Sequence, residues 1–122
     1  MRGVSLLLTL LCFVAACAGS AYRTGIEAEQ NRANFLKLNL GMTKDQVQTV
    51  MGPPYKTEMY QVGDRPMEFW LYLTEGKSVS YDKLSDSNFT PLAFENGILK
   101  GWGRNYYDNE LKIRKQVIIE HK

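Results

Sequence analysis

Leu40-Gly41-Met42-Thr43-Lys44-Asp45-Gln46-Val47, closed by Met51-Gly52-Pro53-Pro54, reads as one short helix with both of its ends marked. Thr43-x-x-Gln46 has the form of a capping box, in which the threonine hydroxyl and the glutamine amide satisfy backbone groups left without intrahelical partners. Asp45 in the first turn suits the helix dipole. Val47, Val50 and Met51 make the buried stripe. Gly52 stands where the chain must turn out of the helix, and Pro53-Pro54 forbid its continuation. Gly41, Thr43, Gly52 and Pro53 therefore carry structure rather than chemistry.

Upstream, residues from about Ile26 to Leu38 favour helix, with Ala33, Leu36 and Phe35 toward one side. Downstream the period changes from helical to alternating. Tyr55 to Val62 reads as a strand with Tyr55, Thr57 and Met59 on one face, and Gly63-Asp64 as a turn. Met67 to Thr74 returns as the partner strand, with Phe69, Leu71 and Leu73 on one face and Trp70 and Tyr72 on the other. Both faces are apolar or aromatic, so this strand is central. Glu75 to Asn88 is polar and reads as a long mobile loop. Thr90 to Glu95, Asn96-Gly97 and Ile98 to Gly103 form a hairpin, because Asn-Gly accepts the positive φ angles of a type I′ turn. Pro91 belongs at a strand start or edge. The segment from Leu111 to Ile119 stays open: Val117-Ile118-Ile119 favours a strand, and Asp108 before Leu111 offers a helix cap.

At the N-terminus Arg2 precedes an apolar run, Val4 to Val14, too short to span a bilayer as a helix. Val14-Ala15-Ala16-Cys17 resembles a bacterial lipobox, which implies cleavage before Cys17 and acylation of its thiol. Ala16-Cys17-Ala18 also fits an ordinary secretory cleavage site that would release a soluble chain. The lipobox reading divides the chain into a signal peptide (1–16), a lipidated tether (17–25), a folded domain (26–110) and a C-terminal tail (111–122). Of the two cysteines, Cys12 then leaves with the signal peptide and Cys17 is consumed by lipid, so no disulfide or thiol chemistry remains.

Taking 16 residues from 122 leaves 106 in the mature chain, enough for one modest core. Removing Arg2 from the 15 basic residues leaves 14 against 13 acidic ones, a net charge of +1. That balance is no electrostatic footprint for nucleic acid. His121 is the single histidine, so a Ser-His, Cys-His or two-histidine metal arrangement cannot be assembled. Asp82 and Asp86 lack the spacing of an EF-hand loop. The glycines at 97, 101 and 103 follow a hairpin turn and open no helix, which argues against a phosphate cradle. We expect no catalytic residue, metal, cofactor or small-molecule substrate.

The Gly-Met-Thr helix motif (Gly41 to Thr43, with Val47 and Gly52-Pro53-Pro54) resembles the signature of the SmpA/OmlA (BamE-like) small outer-membrane lipoproteins. The Phe94 to Leu99 hairpin is similar to the same plan, and the likeness covers roughly Asn31 to Gly103. It implies an α+β fold of two layers, with two N-terminal helices on one face of an antiparallel sheet of three strands, or of four. Such a fold is also similar to a repeat of the β-lactamase inhibitor proteins. One member of the family is an accessory subunit of the machinery that inserts β-barrels. The long Glu75–Asn88 loop and the Trp102-Gly103 end of the hairpin make this chain look more like the family's uncharacterised members.

The resemblance implies a non-catalytic binding or scaffolding module at the periplasmic face of the outer membrane, lipid-anchored and acting on an envelope protein partner. Ala18 directly after Cys17 resembles the sorting signal for outer-membrane delivery. The alternative is an inhibitor of an envelope enzyme. Trp70, Tyr72 and Trp102 either cover the sheet or form the partner-binding patch. In the second case Leu71 and Leu73 pack against Val47, Val50 and Met51, leaving Trp70 and Tyr72 on an uncovered face.

Overall fold

The computed structural model describes residues 22–77 and 79–120. The expected signal peptide, Cys17 and His121 lie outside them. In chain order come helix α1 (22–35), helix α2 (Lys44–Met51), strands β1 (Lys56–Val62), β2 (Arg65–Leu73), β3 (Phe89–Glu95) and β4 (Ile98–Trp102), and helix α3 (Arg104–Glu120). The class is α+β, and the four strands form one antiparallel sheet in the order β1-β2-β3-β4.

Local chemistry accounts for the ends of α2. The Gln46 amide N–H donates to the Thr43 hydroxyl at 3.2 Å, and the Thr43 N–H donates to the Gln46 side chain at 2.9 Å. At the other end Gly52 takes φ 74°, ψ −172°, a region essentially confined to glycine. The Asn96-Gly97 turn has φ 53° and 76° at its two central residues, the signs of type I′. Within that hairpin Ala93 faces Gly101 while Phe94 faces Leu99, so Lys100 is the extra residue of a β-bulge.

The sheet is covered on both faces, which corrects the two-layer expectation. On one face Phe69, Leu71 and Leu73 cluster with Met67, Ala93 and Phe89, beneath Ala28 of α1 and Tyr106 and Tyr107 of α3. On the other, Trp70 and Tyr72 join Leu92, Phe94 and Leu99 beneath Val47 and Met51 of α2 and Leu38. The expected faces are therefore exchanged: α2 packs on the aromatic side of β2. The physical cause is that β2 is apolar on both sides, and Tyr106 and Tyr107, in the first turn of the helix that continues through the undecided 111–119 segment, cover the second.

α1 differs in register. It begins by residue 22, within the segment expected to be tether, and ends at 35. Its buried positions are Thr24, Ala28 and Asn31, spaced at helical period, whereas Leu36 is 89% exposed and Ala33 is exposed. Polar anchoring sets this register. Asn31 donates its amide to the Leu73 carbonyl at 2.8 Å, Arg32 reaches the Thr74 carbonyl, and Thr24 donates to the Gly76 carbonyl at 2.8 Å. α1 is thereby fixed to the C-terminal end of β2. The same bonds pin the start of the 75–88 segment, which also contains two 3₁₀ turns, Tyr81–Lys83 and Asp86–Asn88. Asn88 donates to the Glu75 carbonyl at 2.6 Å. The loop expected to be mobile is tied down at both ends.

Candidate functional site

The two edges of the sheet are treated differently. Along β4 the Gly41 N–H donates to the Leu99 carbonyl at 2.9 Å, the Leu99 N–H to the Met42 carbonyl at 2.8 Å, and the Lys44 N–H to the Gly97 carbonyl at 3.2 Å. Thr43 faces Ile98 in an antiparallel bridge. The Gly-Met-Thr motif thus does two things: it caps α2 and closes the first half of the β4 edge as a minimal strand. β1, at the other end of the sheet, has no described strand on its outer side. That outer side is a sheet edge with no described neighbouring strand, the arrangement that accepts a further strand.

Side chains along β1 show what that edge presents. Thr57, Met59 and Gln61 stand opposite Trp70, Glu68 and Pro66, so they lie on the α2 face of the sheet. α2 does not bury them. Thr57 and Gln61 are exposed, and Met59 is 71% exposed. Beside Met59 is a groove of about 170 Å³ lined by Lys44, Pro66, Glu68, Phe94 and the Asn96-Gly97 turn. In its lining Glu68 is ion-paired with Lys44 and accepts from the Trp70 indole N–H at 2.9 Å. Burial pushes the Glu68 carboxyl up, but Lys44 and Trp70 outweigh it and hold it below the usual carboxylate range.

On the opposite face β1 is occupied by α3. Glu58 accepts from the Tyr107 hydroxyl at 2.6 Å, from the Tyr60 hydroxyl at 3.1 Å, and from Lys56 at 3.1 Å. The Arg104 guanidinium lies 5.1 Å from the centre of the Tyr107 ring. Burial alone would raise the Glu58 carboxyl, yet the tyrosine hydroxyls and Lys56 bring it below its ordinary value. The Tyr107 hydroxyl is pushed up, first by burial and then by Glu58. Such a carboxylate is a poor base and such a phenol a poor acid. The cluster fastens α3 to β1.

A second hollow of about 180 Å³ opens among Tyr55, Lys56, Leu71, Leu84, Ser85, Asp86 and Phe89. The Asp86 carbonyl there accepts from Arg104 at 2.6 Å. Among the described residues no three of His, Cys, Asp and Glu come together to hold a metal ion, and no helix is long and apolar enough to cross a membrane.

The patch expected from Trp70, Tyr72 and Trp102 does not form. Trp70 is 6% exposed and Tyr72 1%, whereas Trp102 is 37% exposed on β4, opposite Leu92. Trp70 stacks obliquely on Phe94 with ring centres 4.7 Å apart, and Phe35 meets Tyr72 edge-on at 6.3 Å. The surface that sequence reasoning missed is Thr57, Met59 and Gln61. Its signal was present in the polar composition of β1, Lys56-Thr57-Glu58-Met59-Tyr60-Gln61, which is that of an edge strand beside the apolar β2.

Fold and site together define a small α+β domain whose sheet is closed along half of one edge and has no described strand beyond the other. Residues 21–109 match the family described as "Protein of unknown function (DUF3192)", and the chain belongs to that family. No curated protein and no solved structure matches it.

Proposed function

We propose that this chain is a lipid-anchored, non-catalytic binding module of the bacterial envelope, related to the SmpA/OmlA (BamE-like) lipoproteins and placed at the periplasmic face of the outer membrane. Cys17 behind Val14-Ala15-Ala16 supplies the anchor, and acylation by two or more chains holds stably where one chain is marginal. The likeness to the small lipoproteins rests on the Gly-Met-Thr motif, whose joining of α2 to the β3–β4 hairpin gives those residues a shared structural purpose.

The observation that carries the binding role is the open β1 edge with Met59 standing out beside a groove. Its occupant is an extended segment of an envelope protein. Main-chain hydrogen bonds along β1 hold such a segment, and an apolar side chain seated against Met59 and Phe94 selects it. A photo-crosslinking amino acid placed at Met59 tests this in the cell, with one at Lys100, on the bulge of β4, as control. A discrete adduct from position 59 and none from 100 is the expected result. Identification of the adduct as a barrel-assembly component supports scaffolding, a hydrolase supports inhibition, and no adduct from 59 removes the β1 site.

A further inference from the structure

The lipidated residue and the first described turn of α1 are close in sequence. From Cys17 to Tyr22 there are five Cα steps, which at full extension reach ~17 Å. A domain of this size has a radius of gyration of ~13 Å. The tether is therefore shorter than the domain is wide, and the start of α1 must stay near the headgroups of any bilayer that holds the acyl chains. The expected tether through residue 25 would have left more freedom, but α1 already includes residues 22–25.

What lies at that pole is suited to an interface. Tyr22 is 71% exposed and Ile26 38% exposed, one helical turn apart on the outer side of α1. Tyr81, in the 3₁₀ turn Tyr81–Lys83, is 37% exposed and donates its hydroxyl to Glu27 of α1 at 2.6 Å. The loop passes close on another side, where the Lys77 Cα lies 4.0 Å from the position a Cβ on Gly25 would take. Arg23, Lys77 and Lys83 are exposed on the same segments, as is Asp82, and Glu27 is half-buried. Tyrosines have an apolar body and a polar tip, and together with nearby basic side chains they settle at a membrane–water boundary. Their attraction to anionic headgroups adds to the anchor.

We propose that the α1 pole formed by Tyr22, Arg23, Ile26, Lys77 and Tyr81 is a membrane-seating surface that lies against lipid headgroups and orients the domain. This inference rests on acylation of Cys17 as set out under the proposed function. The occupant is a lipid surface because the tether leaves this pole within reach of one. β2 ends at this pole and sets the depth of the domain: its nine residues span ~27 Å from the Gly63-Asp64 turn at the far pole. The open edge of β1 runs along the same axis and stays accessible to a partner.

The test uses the full precursor, processed in a bacterial host and reconstituted in vesicles of phosphatidylethanolamine and phosphatidylglycerol. With Cys17 acylated the mature chain has no free thiol, so single cysteines introduced by Ile26→Cys or Tyr22→Cys, and by Asp64→Cys as control, take a nitroxide selectively. Paramagnetic resonance reads the ratio of collision with oxygen to collision with a soluble nickel chelate. On reconstitution that ratio should rise several-fold at 22 and 26 and stay unchanged at 64. Equal, water-like ratios at all three positions on an acylated chain overturn the seating surface and leave the anchor intact. An intact mass with no acyl increment on Cys17 overturns both.

Discussion

The Tyr72 hydroxyl donates to the Gly52 carbonyl at 2.8 Å, joining the centre of the sheet to the residue that ends α2. Tyr72 is almost wholly buried, and burial pushes its phenol well above the ordinary value, so it remains a neutral donor throughout the accessible pH range. One aromatic side chain thus fixes both the packing of the α2 face and the exit of the helix. Tyr72→Phe, which keeps the ring, should cost ~1 kcal/mol for the lost bond. Tyr72→Ala and Trp70→Ala should each cost ~3–5 kcal/mol as truncations of large buried aromatics. Urea unfolding of the three variants reads these values directly. Equal stability of Trp70→Ala and wild type would put the ring back on the surface.

Gly52 tests the backbone at the same junction. A Cβ added there meets nothing within 4 Å, so any cost of Gly52→Ala comes from its φ of 74° and not from a clash. The expected loss is ~1–3 kcal/mol, with Gly52→Val at least as damaging because its branched Cβ is stiffer. Thr43→Ala at the other end of α2 should cost ~1 kcal/mol through lost capping. Unchanged melting of Gly52→Ala would mean that the helix leaves by another route.

Gly101 is the reverse case, a close approach. A Cβ there would sit 2.5 Å from the Tyr106 ring of α3. Gly101→Ala should push α3 from the sheet at a cost of ~1–3 kcal/mol. Combined with Tyr106→Leu, the loss should be less than the sum of the two single variants, since the shorter side chain relieves the overlap. Strict additivity in that cycle would show that the two residues do not touch.

Acid should loosen β1 and the groove together. Glu58 and Glu68 are both held below the ordinary carboxylate value in the folded chain. Their stabilisation is complete above the unfolded carboxylate value of about 4.3 and is lost as pH falls through the lower folded values. Melting temperature followed from neutral pH into the acid range should therefore decline less steeply for Glu58→Gln and for Glu68→Gln than for wild type. Parallel curves would show that neither carboxylate is held by its neighbours.

What the sequence alone determined was local. The Thr43–Gln46 box, the Gly52 exit, the Asn96-Gly97 turn and the alternation of β2 each involve residues a few positions apart, and short-range sterics and hydrogen bonding decide them. The alternation also established that Phe69, Leu71 and Leu73 oppose Trp70 and Tyr72. It did not say which set meets which helix, because that assignment compares two packings of similar apolar area. Tertiary structure settled it through contacts far apart in the chain: α3 folded back so that Tyr107 reached Glu58, and Asn31 and Thr24 set the register of α1 against the end of β2. The same long-range pairing closed the first half of the β4 edge with Gly41 and Met42 and left β1 with no described strand on its outer side. An edge is a relation between strands: the polar composition of β1 suited one, but only the long-range pairing decided where it fell.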